Sequence, residues 1–101
     1  MISSGQLAID PERYLVTVAG EPVRLTYLEF NALWTIARLE GRIATYDRLT
    51  TELWNEHSSQ TRRRLTVLIS RLRSKLGEDA GARVDTVMRV GYRLTEPPEA
   101  A

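Results

Sequence analysis

Cysteine is absent from the 101 residues, which excludes disulfides and thiolate metal sites. Histidine occurs once, as His57, with neither a cysteine nor clustered carboxylates to share a metal or a proton. It therefore reads as a surface residue, not as a ligand or general base. No hydrophobic run approaches the ~20 residues that a membrane-spanning helix needs, and no signal-peptide pattern opens the chain. The glycines are scattered, not gathered into a phosphate-cradling loop, and there is no nucleophile–base pair or paired carboxylate set. These gaps lead to the expectation of a soluble cytoplasmic protein that is not an enzyme and uses no cofactor, metal or membrane.

What is present fits one globular domain with a single modest core: 43% hydrophobic and 27% charged residues. The formal net charge of +1 is uninformative, but its distribution is not. The stretch from Arg62 to Leu76 holds Arg62, Arg63, Arg64, Arg71, Arg73 and Lys75 and no acid, so it carries +6 and the other residues sum to −5. One basic element on an acidic body fits docking through that element.

Within this stretch Leu65, Ile69, Leu72 and Leu76 recur at helical spacing and form a stripe that must be buried. At ~100° per residue the opposite side carries Arg63, Arg64, Val67, Ser70, Arg71 and Ser74. Gly77 stands where a helix commonly stops. Arginines among small side chains suit a helix that enters a DNA groove, since long hydrophobes would block close approach. The plainer reading of such a face is a solvated surface.

The remaining chain supplies a scaffold. Met1 to Gln6 is small and polar and reads as a flexible start. Leu7 and Ile9 alternate, Asp10-Pro11-Glu12-Arg13 is turn chemistry, and Tyr14 to Val18 is rich in strand formers. Ala19-Gly20-Glu21 turns the chain into Pro22 to Leu25, giving three short antiparallel strands. Thr26 to Glu29 is a capping box that opens a helix with Phe30, Leu33, Trp34 and Ala37 inward, ending near Gly41. Thr45 looks like the cap of a second helix, with Leu49, Leu53 and Trp54 facing inward. Asn55 to Gln60 lacks periodicity and reads as a loop before a helix over about 61–76. Glu78 to Arg83 reads as a polar connection. Val84–Val87 and Tyr92–Leu94 form a terminal hairpin over about 84–94. The small tail at 96–101 completes the chain. Helix, helix, loop, basic helix and hairpin is the order of a winged helix-turn-helix, an α+β fold.

From about Leu7 to Leu94 the chain resembles the DNA-binding effector domains of OmpR/PhoB response regulators. The resemblance rests on Leu25-Thr26-Tyr27-Leu28-Glu29-Phe30, Leu53-Trp54, Ile69 through Leu76, and Thr86 through Leu94. It implies a four-stranded N-terminal sheet, three helices and a C-terminal wing over residues 7–95. It also implies sequence-specific binding of double-stranded DNA by a bacterial transcription regulator of a two-component system. By position, Arg63 looks like a groove or phosphate contact, and Val67 and Arg71 match base-facing positions. Arg73 matches a backbone-contacting arginine. Arg64, Leu68 and Lys75 complete the expected recognition-helix set, and Thr45, Tyr46 and Trp54 the expected backbone set. For Trp54, core packing and a phosphate contact through its indole N–H can hold together. Thr86, Met88 and Arg89 are the expected wing contacts, and Glu56 falls in the loop through which some members touch RNA polymerase. The isolated domain is expected to be a monomer, with tandem dimers on DNA.

The departures are specific. Leu68 stands where the family commonly has a histidine, and can only touch a thymine methyl or pack. Tyr46 replaces a frequent phosphate-contacting arginine and carries no charge. In the wing, Arg89 occupies a place usually held by glycine, while Met88 takes that of an arginine. The altered wing leaves one alternative, a winged-helix protein-interaction module that no longer binds DNA.

Overall fold

The computed structural model describes residues 1–97, beginning with a four-stranded antiparallel meander. Its strands are β1 (Ile2–Ser4), β2 (Leu7–Asp10), β3 (Leu15–Val18) and β4 (Glu21–Val23). The registers Ile2↔Ile9, Ile9↔Val16 and Val16↔Val23 place one apolar row across the whole sheet. Side chains in such a row touch across the strands and bury one face. Ile2 belongs to this row, so residues 2–4 pair as a strand where a flexible start was expected. The β3–β4 connection is a two-residue turn with positive φ at both Ala19 (52°) and Gly20 (82°), the conformation that matches strand twist.

Helix α1 (Tyr27–Ala37) opens on the expected capping box: the Glu29 amide donates to Thr26 Oγ1 at 3.2 Å, and the Thr26 amide donates to Glu29 Oε1 at 2.8 Å. The chain then forms a two-residue strand, β5 (Ala44–Thr45), before helix α2 (Tyr46–Trp54). Helix α3 (Ser59–Leu76) begins two residues earlier than its periodicity predicts. Ser58 and Thr61 form a reciprocal cap, and with threonine at the third helical position the usual Ser-x-x-Glu/Gln signature is missing. Glu78–Ala82 is a short helix, α4, so there are four helices among the described residues and not three. Buried Gly81 lets it approach α3, since a Cβ there would strike the Arg73 carbonyl.

The second sheet has the order β5-β7-β6, with β6 (Val84–Val87) and β7 (Gly91–Leu94) forming the predicted hairpin. Between the sheets lies the core, centred on Leu33, Ile36, Leu49, Leu65, Ile69 and Leu72, all inaccessible to solvent. Each such side chain contributes about 1.5–3 kcal/mol by its burial. Arg83 closes the molecule: its Nη1 donates to the Ser4 carbonyl at 2.7 Å and its Nε to the Thr95 carbonyl at 3.1 Å. Burial pulls this guanidinium below its ordinary pKa, against the opposing charge of Glu96. The predicted tail beyond Pro97 lies outside the described residues.

Candidate nucleic-acid interface

The stripe of Leu65, Ile69, Leu72 and Leu76 is buried as the spacing requires, and that burial fixes the rotation of α3. Arg62, Arg63, Arg64, Thr66, Val67, Ser70, Arg71 and Ser74 consequently face solvent. Val67 is 48% exposed among these arginines, an apolar side chain held in water by the helix's rotation. Of the two readings open for Leu68, a thymine contact or packing, its 8% exposure matches packing, because it adjoins the Leu65–Ile69–Leu72 stripe.

The basic residues divide by what their charged ends already hold. Arg73 donates through Nε to the Val84 carbonyl at 2.8 Å and through Nη2 to Thr86 Oγ1 at 2.7 Å, with its guanidinium above the Tyr92 ring. It is the strut between α3 and the wing, and Thr86 is its partner. Lys75 donates to Glu29 Oε1 at 2.7 Å. Burial alone would raise the Glu29 pKa, but the Lys75 ammonium and the Thr26 amide outweigh it and hold the carboxyl below its usual range. Arg38 pairs with Glu52, Arg93 with Asp85 and Arg13 with Asp10, while Arg83 and Arg42 bind backbone carbonyls. Among the described residues this leaves Arg24, Arg48, Arg62, Arg63, Arg64, Arg71 and Arg89 with no ion pair or side-chain hydrogen bond. Four of these lie on α3. The expected roles of Arg73 and Lys75 thus meet a physical objection: both cations are engaged inside the domain.

The other expected residues lie on α2, the loop after it and the wing. Thr45 caps α2, its hydroxyl accepting from the Arg48 amide at 3.2 Å, and also pairs with Gly91 of the wing. Tyr46 is half-buried, edge-on to the Tyr92 ring at 5.7 Å. Burial raises the Tyr92 pKa, while a hydrogen bond with the Thr66 side chain works against the shift. Trp54 is half-buried and, with Leu28, Val67 and Leu68, lines a groove of about 470 Å³ rimmed by Arg63, Arg64 and Arg71. Core packing and partial exposure therefore coexist at Trp54. In the wing turn, the Val90 amide donates to the Val87 carbonyl at 2.9 Å, and Arg89 sits at φ 67°. Met88 is 78% exposed at the tip. The Tyr46 amide donates to the Val90 carbonyl at 3.2 Å, tying the wing to the start of α2. Glu56 and His57 are exposed between α2 and α3. Arg62 was not among the expected contacts; its place in the basic run was visible, but its rotation toward α2 depends on packing.

A three-helix scaffold presenting one basic helix beside a β-hairpin defines the winged helix-turn-helix class. The model of the family described as "Transcriptional regulatory protein, C terminal" matches residues 20–94, and the chain belongs to this family. It is an effector domain of OmpR/PhoB type, a class of DNA-binding transcription regulators and not of enzymes. The sensory transduction protein RegX3 of Mycolicibacterium smegmatis is 35% identical over 96 residues, covering 93% of this chain and 42% of RegX3. The DNA-binding response regulator MtrA of the same species is 35% identical over 99 residues, covering 96% of this chain and 43% of MtrA. The Klebsiella pneumoniae RstA DNA-binding domain, crystallised in complex with the RstA box, superposes with a TM-score of 0.83 at 38% identity. That match covers 93% of this chain and 95% of the RstA domain. The chain spans about two fifths of the length of the curated relatives it matches first. No helix among the described residues is long and apolar enough to cross a membrane.

Proposed function

We propose that this domain binds double-stranded DNA sequence-specifically, with α3 in the major groove and the β6–β7 hairpin against the adjacent backbone or minor groove. The observation that carries the reading is the uncompensated arginine face: Arg63, Arg64 and Arg71 surround exposed Val67, and no carboxylate among the described residues pairs with them. Arginine presents two parallel donors to the O6 and N7 of guanine, and valine offers an apolar surface to a thymine methyl. Trp54, Thr45 and Arg89 are proposed as contacts to the phosphates flanking that groove. Arg73 serves this surface indirectly, by holding the wing in register, and Lys75 by anchoring α3.

The protein is further proposed to act as a cytoplasmic response regulator that binds its sites as tandem dimers and controls transcription. Exposed Glu56, whose Oε2 accepts from Ser58 Oγ at 3.3 Å, is the residue proposed for contact with RNA polymerase. Selection of sites from random duplexes at two salt concentrations tests the DNA reading. Enrichment of one short motif is the expected result. Absence of enrichment together with no retention at low salt would overturn it and favour a module that binds protein alone.

A further inference from the structure

The first turns of α3 carry three consecutive arginines, Arg62, Arg63 and Arg64, and no acid. Arg63 and Arg64 rim the groove beside Trp54, on the side of α3 away from the wing. Arg62 points the other way, with its guanidinium carbon 4.1 Å from the centre of the Tyr46 ring. The Tyr46 ring is itself braced edge-on by Tyr92, whose buried side is covered by the Arg73 guanidinium. A cation is thus held over an aromatic face, and the ring beneath it is fixed by the strand that carries the wing.

A guanidinium lying on a ring spends its face on the ring and keeps its planar fork of N–H donors free at the edge. Among the described residues no carboxylate, carbonyl or hydroxyl receives a hydrogen bond from the Arg62 side chain, which is exposed at the junction of α2, α3 and the wing turn. Such a fork matches the paired oxygens of a phosphodiester. We propose that Arg62 is a DNA-backbone contact and that Tyr46 is its positioning residue. The proposal rests on the DNA-binding reading above, and it assigns Tyr46 a role through its ring where a direct contact through its hydroxyl was expected.

The test uses this 101-residue chain and two duplexes, the selected site and a scrambled one, titrated at several salt concentrations. Arg62→Ala removes one phosphate contact, so the slope of log affinity against log salt should become shallower by about 0.9 on both duplexes. Tyr46→Phe keeps the ring and should behave as the parent protein. Tyr46→Leu keeps apolar bulk but loses the π face, and should reproduce much of the Arg62→Ala defect while leaving thermal stability close to that of Tyr46→Phe. In the double variant the two losses should not add. An unchanged slope for Arg62→Ala, with Arg71→Ala and Arg63→Ala still impaired, would overturn this assignment and leave the DNA reading intact. Impairment on the selected duplex alone would also overturn it, because a backbone contact ignores sequence. Parental binding by Tyr46→Leu would refute the positioning role. If no arginine variant of α3 changes binding, the DNA reading itself falls.

Discussion

The Lys75 ammonium lies 2.7 Å from the Oε1 of Glu29, and that carboxylate is only 2% exposed. The same oxygen accepts the Thr26 amide, so the cap of α1 and the attachment of α3 meet at one atom. A residue whose sequence signature is a helix cap therefore also sets where the arginine-bearing helix lies.

Removing either partner leaves the other without compensation. Glu29→Ala should cost about 2–3 kcal/mol in urea unfolding, below the roughly 3–5 kcal/mol of a fully buried pair because Lys75 is partly solvated. Lys75→Met leaves the buried carboxylate with only the Thr26 amide and should destabilise comparably, while its salt slope on duplex DNA should match the parent. A shallower slope would return Lys75 to the DNA contacts.

The Glu29 carboxyl also gives a pH dependence of defined sign. Its folded pKa is lowered, so the unfolded chain takes up the proton first as pH falls. The stabilisation should be complete above the ordinary value of 4.5 and disappear as pH drops through the lower folded value. Glu29→Gln should flatten the acid limb of stability against pH. An acid limb of unchanged steepness would show that other carboxylates dominate.

Gly91 is required by proximity and not by backbone angle. A Cβ there would collide with the Ala44 carbonyl and approach Thr45 Cα at 2.8 Å, where β7 pairs with β5. Gly91→Ala should cost about 3 kcal/mol, the upper range for overpacking, and detach the wing. Amide exchange at Thr45 and Tyr92 would report the detachment, and unchanged protection would contradict it.

Arg89 adopts φ 67°, a conformation that costs a side-chain-bearing residue about 1–2 kcal/mol and glycine little. Arg89→Gly should therefore raise the melting temperature while weakening binding to every duplex alike. Loss of stability would mean that the arginine makes a compensating contact, and unchanged binding would remove the wing tip from the interface.

Much of this molecule is legible in its sequence. The 3.6-residue spacing of Leu65, Ile69, Leu72 and Leu76 announced both the buried stripe and the outward arginines. The Thr26–Glu29 signature located the start of α1. Short strands such as Ile2–Ser4 and Ala44–Thr45 were hidden because their pairing is set by partners remote in sequence and not by local preference. Leu68 stayed open between packing and a thymine contact because a position at the edge of a stripe is decided by neighbouring helices. The engagements of Arg73 and Lys75 reach across the fold to Thr86 and Glu29, and no local pattern encodes them. Arg62 escaped for the same reason: its role depends on a ring sixteen positions earlier in the chain.

Titrating the selected duplex from about 50 to 200 mM salt, with the parent chain and Arg71→Ala side by side, addresses the arginine face itself. With four or five phosphates neutralised, the parent slope should lie near −4, and Arg71→Ala should lose about 1–3 kcal/mol of preference at one base pair. A flat salt response, with no base preference to lose, would contradict the proposed role of α3.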